Sequence, residues 1–339
     1  MPQYGKILGK LPPDDFSQAI NKAILSYSRE NRDLDVIVFR EVLEFMSRVE
    51  RVLTAPGGSL LMAGVSGVGR RTAVTVIAAM HHMHIHSPKV GRVYGVKQFK
   101  TDLKAVMLQA GVEGEQCLLI VEDHQFVEPT FLELINSLLS AGEIPGLYTP
   151  EELEPLLSPL RDLASEAGWR GTLAQFYASR IQQNLHLALI MDCQNEHFSI
   201  QCESNPAFFK CCSVQWWEGW SKESMVAVPN LSLVKKPEGP AMGDKKKLSR
   251  RLSGGSELLQ GFMQVHESAA VAYPQLATPR RYMAFLHTYE QVYSRKKKVI
   301  EEKQKHMQIG VSKLNEAKEV VDKLKRLANE QSVVLAEKQ

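Results

Sequence analysis

Gly64-Val65-Ser66-Gly67-Val68-Gly69-Arg70-Arg71-Thr72 is the stretch on which the reading of this chain turns. It follows the short apolar run Leu60 to Ala63, a strand candidate, and leads into a helical pattern over Thr72 to Met80. A glycine-rich turn between strand and helix is the setting of a phosphate-binding loop. Its glycines let backbone N–H groups curl round a phosphate, and the helix N-terminus adds positive potential. The usual pattern ends Gly-Lys-Ser/Thr; here Arg70 stands at the lysine position and Arg71 at the hydroxyl position. Arg70 keeps a positive charge, but its planar fork is no copy of a lysine ammonium. Arg71 has no lone pair with which to ligate magnesium. Thr72 carries a hydroxyl one residue late, turned roughly 100° round the helix. The expectation is weak nucleotide affinity, carried by backbone amides of Val65 to Arg70, with the Arg70 side chain paired to the outer phosphate.

Leu118-Leu119-Ile120-Val121-Glu122-Asp123 is the natural partner of that loop: an apolar strand that ends in two carboxylates. In a phosphate-loop ATPase such a strand lies beside the loop, its first acid helps to hold magnesium, and the next polarises the attacking water. The usual order is Asp then Glu. Here it is Glu122 then Asp123, so each reach changes by one methylene. Glu122 and Asp123 are the catalytic candidates. Their reversed order, together with Arg71, predicts no productive hydrolysis, because small displacements are costly to in-line chemistry. The bland alternative is a polar pair where a strand meets a loop.

Working outward, residues 1–56 read as helices, with apolar faces at Phe16, Ile20 and Ile24 and at Val38, Val42, Phe45, Met46 and Val49. Pro56-Gly57-Gly58 stops them. Residues 59–213 alternate between strands and helices: Val90 to Val96 a strand, Phe99 to Ala110 a helix, Phe131 to Ser140 a helix, Leu185 to Met191 a strand. That rhythm predicts an α/β fold, a parallel sheet covered by helices on both faces. Residues 144–171 break it, with prolines and an acidic run, and read as a long loop with a short helix or two. Residues 230–264, with the lysine run Lys245 to Lys247, read as a flexible linker or insertion. Within them Arg250, Arg251 and Ser253 form a string that a basophilic kinase could accept, or a plain solvated serine. From Ser294 onward, Ile300, Met307, Leu314, Val321, Ala328 and Leu335 recur every seven residues among Lys, Glu and Gln, a coiled-coil signal. One long amphipathic helix docked on the domain is the alternative.

Composition sets outer bounds. Over 339 residues the formal charge is +3, too balanced for a generic nucleic-acid binder. Five cysteines do not make a secreted disulfide framework, no apolar run is long enough to span a bilayer, and no secretory signal opens the chain. These bounds point to a soluble, cytosolic protein. No metal site is assigned. His81, His82, His84 and His86 could meet a metal only on an extended segment, and otherwise form a surface helix end and loop. Cys211 and Cys212 lack a partner pair at zinc spacing and read as buried thiols. Trp216, Trp217 and Trp220 make either a recognition surface or a packing cluster.

Taken in order, these pieces resemble the dynein heavy chains, in their fourth AAA+ module and the root of the stalk. The resemblance is carried by Val38 to Leu53, by Phe131 to Pro145, by Leu185 to Met191 with Asp192, by Asn205-Pro206 with Cys211 to Trp217, and by Val265 to Ser268 with Thr278 to Leu286. The Arg70-Arg71 pair is most like the branch that serves ciliary transport. The resemblance implies lead-in helices over 1–56, an AAA+ large subdomain over 57–229, the linker over 230–264, a small helical subdomain over 265–293 and part of the first stalk helix over 294–339. It implies a regulatory module that holds ADP or ATP, with magnesium left open, and couples ring state to the stalk. Asn195 would be the sensor, although it lies four residues past the strand. No arginine finger stands in Glu196 to Ser204. The implied partners are neighbouring AAA+ modules of one heavy chain, the returning stalk helix, and, through a longer protein, dynein light and intermediate chains and the microtubule. Neither nucleic acid nor membrane is among them. The implied location is the cytoplasm, the cytoskeleton and the cilium. Two alternatives stay open: a structural module that binds no nucleotide, and a free-standing P-loop ATPase with a coiled-coil tail.

Overall fold

A computed structural model of the chain describes residues 11–31, 34, 36–234 and 256–337. Two helices come first, α1 (Pro13–Glu30) and α2 (Arg40–Leu53). On α2 the buried residues Val42, Phe45, Met46, Val49 and Leu53 fall at helical spacing, so one stripe faces inward. The alternation then begins with β1 (Ser59–Gly64) and α3 (Arg70–Met80). It continues through β2 (His84–His86), α4 (Val96–Leu108) with a wide turn over Gln109–Glu113, and β3 (Cys117–Glu122). After α5 (Pro129–Ala141) come α6 (Pro150–Leu157), α7 (Leu160–Glu166) and α8 (Leu173–Asn184), so the irregular stretch does hold short helices. Then follow β4 (Leu185–Asp192), the short α9 (Phe198–Ser204) and α10 (Ala207–Lys210), and β5 (Cys212–Trp217). The last helices are α11 (Lys222–Val234), α12 (Ser256–Ala272) and α13 (Pro279–Glu337).

All strand pairings are parallel, and the order across the sheet is β2-β3-β4-β1-β5. Leu61, Leu119, Val121, Leu187, Leu189 and Met191 share a core with Phe99, Leu103, Phe131, Leu138, Tyr177 and Ile181 of α4, α5 and α8. Their neighbours Leu60, Met62, Leu118, Ile120, Ala188 and Ile190 are equally buried and point to the other face. There α2 packs on β1 and on α3, and α1 on α3. Both faces are therefore covered, as the unbroken apolar strands require.

Two expectations need correction, and two strands are added. Val90 to Val96 is no strand: Tyr94 N–H bonds back to Gly91 O in a turn, and Gly95 caps α4, which begins at Val96. The second strand is instead His84–His86, paired with Cys117 to Leu119. β5 is a strand the sequence reading did not name. And the acid-ended strand β3 does not lie beside the loop strand β1, because β4 intervenes. Of residues 230–264, the two ends belong to α11 and α12, while residues 235–255, with the Ser253 string, lie outside the described residues.

The chain divides into two compact units, Met1–Tyr282 and Met283–Gln339. The first contains the sheet and the first residues of α13. The second is helix throughout its described part, residues 283–337. Along it Ile300, Met307, Leu314 and Val321 are all exposed, so the seven-spaced series forms an uncovered apolar row. Leu335, the last of the series, has a side chain outside those described.

Candidate nucleotide-binding site

The parallel register brings one end of each central strand to the same edge. Gly64 aligns with Asp192 of β4 and with Trp217 of β5, and Glu122 of β3 with Ile190 of β4. This is the carboxyl edge of the sheet, where ligands of open α/β folds bind. The loop from Gly64 to Gly69 rises there and runs into α3. Gly69 caps the helix at φ 101°, in the left-handed region that glycine adopts freely, and a side chain at this point would meet nothing within 4 Å. The direction a side chain would take from Gly69 is thus open. Gly64 has a different reason to be glycine: a Cβ there would lie 2.0 Å from Trp217 O, so the close approach of β1 and β5 requires it. Val68 is buried and anchors the loop between them, while Val65 and Gly67 are half-buried and Ser66 is exposed.

Arg70 does not do what its position suggested. The side chain is buried at 5% exposure, and Nη1 donates to Met62 O at 2.8 Å and Met191 O at 2.5 Å. Burial lowers its pKa, opposed by Asp192, Asp123 and Glu122 nearby. The expected pairing to an outer phosphate is corrected: the guanidinium is turned under the loop, where it joins β1 to β4. Both carbonyls already lie in the β1–β4 ladder, so Nη1 takes their remaining lone pairs and clips the two strands together with charge-assisted bonds.

Arg71 points the other way. Its Nη1 lies 2.5 Å from Glu122 Oε1, and Nη2 is 3.5 Å from Ser87 Oγ. Half of the Arg71 side chain is exposed and a fifth of Glu122. The second oxygen of Glu122 faces His124 Nδ1 at 3.3 Å, and the Glu122 N–H donates to Gln125 Oε1. Asp123 is directed elsewhere: Oδ2 accepts the Asp192 N–H at 2.9 Å and Asn195 Nδ2 at 3.5 Å. Its Oδ1 is buried without a hydrogen-bond partner, and burial raises its pKa. The structure therefore brings Asn195 to Asp123, and Arg71 to Glu122. Thr72 sits half-buried on the first turn of α3, one step past Arg71.

This donor set does not fit magnesium. The ion would need a hydroxyl from position 71 and a carboxylate oxygen from the first acid of the pair. Position 71 instead supplies a cation, and that cation already holds the carboxylate.

Sequence reading missed a neighbour of the loop. The Arg280 N–H donates to Gly67 O at 3.1 Å, and a side chain at Gly67 would meet Arg280 Cβ and Thr278 Oγ1. Thr278-Pro279 is a helix-start signal, so the start of α13 was legible, but its place against the loop was not. The tryptophans resolve into packing: Trp217 lies tilted against Phe45 of α2 with ring centroids 4.0 Å apart, and Trp220 meets Phe39 edge-on at 5.1 Å. Trp216 stays half exposed beside Phe198. Cys212 is buried, with its thiol pushed up to about 12, and Cys211 is half-buried. Of the histidines, His86 bonds Gln109 and His84 lies 3.6 Å from Glu115.

Comparison with known proteins adds to this geometry. A family model described as the P-loop containing dynein motor region D4 matches residues 34–292. The chain is 57% identical over 337 residues to the cytoplasmic dynein 2 heavy chain 1 of Tripneustes gratilla, covering 98% of this chain and 8% of that protein. To the human protein of the same name it is 52% identical over 341 residues, covering all of this chain and 8% of that one. To the Chlamydomonas reinhardtii protein it is 41% identical over 330 residues, 96% of this chain and 7% of that one. The chain thus spans less than a tenth of the length of these relatives.

Proposed function

Because this chain belongs to the dynein heavy chain family, in its fourth motor region, we propose that it is a regulatory AAA+ module that holds ADP or ATP without hydrolysing it. The observation that carries this reading is the contrast within one loop. Its strand–glycine loop–helix layout suits a phosphate, with nothing within 4 Å of a Cβ added at Gly69, while the side chains of hydrolytic chemistry are engaged by the protein itself. Arg70 is bonded to strand carbonyls, Glu122 to Arg71, and Asp123 to the Asp192 amide and Asn195. Val65 to Gly69 then bind through N–H groups and the helix terminus. Asn195 senses the site through Asp123. In the intact motor the module would sit among neighbouring AAA+ modules and pass its nucleotide state to a stalk formed by the second unit and a returning helix. Light and intermediate chains, the microtubule, and a place in the cytoplasm, cytoskeleton and cilium would come through that larger protein.

Two measurements test this. Titration with fluorescent ADP and ATP is expected to show saturable binding to the folded chain. Phosphate release is expected to be no faster than that of the Glu122→Gln, Asp123→Asn double variant; a clearly higher rate would overturn the non-hydrolytic reading. The second reading, a structural module that holds nothing, is favoured by the protein-satisfied Arg70 and Glu122, and complete absence of binding would establish it.

A further inference from the structure

We propose that this site takes its nucleotide without a divalent metal ion, the Arg71 guanidinium standing in the metal's electrostatic place. The inference rests on the nucleotide-holding reading above and adds the form in which nucleotide is held. Two residues normally share the ion: the hydroxyl that ends the loop and the first acid of β3. Here those two positions are joined directly, Arg71 Nη1 to Glu122 Oε1 at 2.5 Å. A magnesium ion would have to lie about 2.1 Å from a carboxylate oxygen. On Oε1 that places it inside the space held by the guanidinium, and on Oε2 it meets the His124 ring, whose Nδ1 lies 3.3 Å away. The two cations compete for one carboxylate, and the tethered one has no diffusional entropy to lose.

The guanidinium can also do part of the ion's work. It carries five N–H donors in a planar fork, suited to paired contacts with carboxylate and phosphate oxygens at once. One of those donors is committed to Glu122, and Nη2 lies at the long distance of 3.5 Å from Ser87 Oγ. Half of the side chain is exposed, so donors remain for a phosphate that the loop would hold beside position 71. Glu122 fixes the fork from behind, which limits the side-chain entropy lost on binding. What the guanidinium does not offer is a water-coordinating centre that could orient an attacking water. A site so arranged would hold a diphosphate or triphosphate and leave it intact, with an affinity that free magnesium does not raise.

The test uses the whole chain and fluorescent ADP, titrated in excess magnesium and again in excess EDTA. Affinity in EDTA equal to or tighter than that in magnesium is expected. In Arg71→Ser, which restores a hydroxyl to the position, the order should reverse, with binding in EDTA weaker by about tenfold than in magnesium. Should that variant not fold, water-proton relaxation with manganese and ADP gives a second reading on the unaltered chain. No enhancement beyond that of manganese and ADP without protein is expected. Tighter binding of the unaltered chain in magnesium than in EDTA, or manganese retained with the bound nucleotide, would overturn the metal-free site and leave the nucleotide-holding reading standing. No binding in either condition would overturn both.

Discussion

Arg70 and Arg71 are adjacent, alike in chemistry, and opposite in use. One is turned beneath the loop onto the carbonyls of Met62 and Met191; the other reaches out to Glu122. Removing the first should therefore act on stability. Arg70→Met would remove two charge-assisted bonds to the β1 and β4 carbonyls and is expected to cost about 1–3 kcal/mol, measured by urea unfolding. A second residue-scale consequence concerns His186 on β4, wholly buried with Nδ1 2.8 Å from Gly58 O and Nε2 2.9 Å from the side-chain amide of Gln116. Burial lowers its pKa more than the Gly58 carbonyl raises it. Its folded form thus stays neutral in a range where the unfolded chain, near pKa 6.5, takes up a proton. Stability should fall as pH drops through about 6.5, by up to roughly 1.4 kcal/mol per pH unit from this group. Unfolding free energies from pH 8 to 5 should show that component in the parent chain and lack it in His186→Gln.

Among the elements, β1, β3 and β4 were legible because each is a long, fully buried apolar run between helical patterns. β2 was not: His84–His86 is three residues long, and only its pairing with β3 makes it a strand. β5 was hidden for the opposite reason. Cys212 and Trp217 are buried while Val214 and Trp216 are exposed, the signature of an edge strand, and its aromatic residues drew the reading toward packing. The site divides in the same way. The glycines, Glu122 and Asp123 stand in one-dimensional motifs. The work of Arg70 depends on β4 lying between β1 and β3, a fact of sheet order that no local spacing contains. The packing reading of Trp217 has a measurable size. Its ring closes against Phe45 and ties α2 to the sheet edge, so Trp217→Ala should destabilise the first unit by about 3–5 kcal/mol. Chemical denaturation followed by circular dichroism checks the value.

On the scale of the whole molecule, the second unit presents an apolar row that no other described residue covers: Ile300, Met307, Leu314 and Val321 are 63%, 66%, 72% and 47% exposed. Gly310 lies within the same helix and weakens it by up to about 1 kcal/mol relative to alanine. A lone helix so patterned gains little from folding by itself. Appending an antiparallel return helix in the same chain is expected to raise helicity sharply by circular dichroism, since tethering raises the effective concentration of the partner. Sedimentation of the chain without it should show mainly monomer. In the first unit, one amide ties the start of α13 to the glycine loop. The Arg280 N–H belongs to the first turn of α13, where no carbonyl within the helix can receive it, and Gly67 O takes that part. This proton is a natural isotope label for the state of the loop. If the loop loosens, the amide at position 280 loses its acceptor and exchanges with solvent, while amides deeper in α13 keep theirs. A peptide covering the start of α13 would then take up deuterium at a rate set by the occupancy of a loop far upstream, so ligand binding can be followed on the unaltered protein with no dye and no mutation.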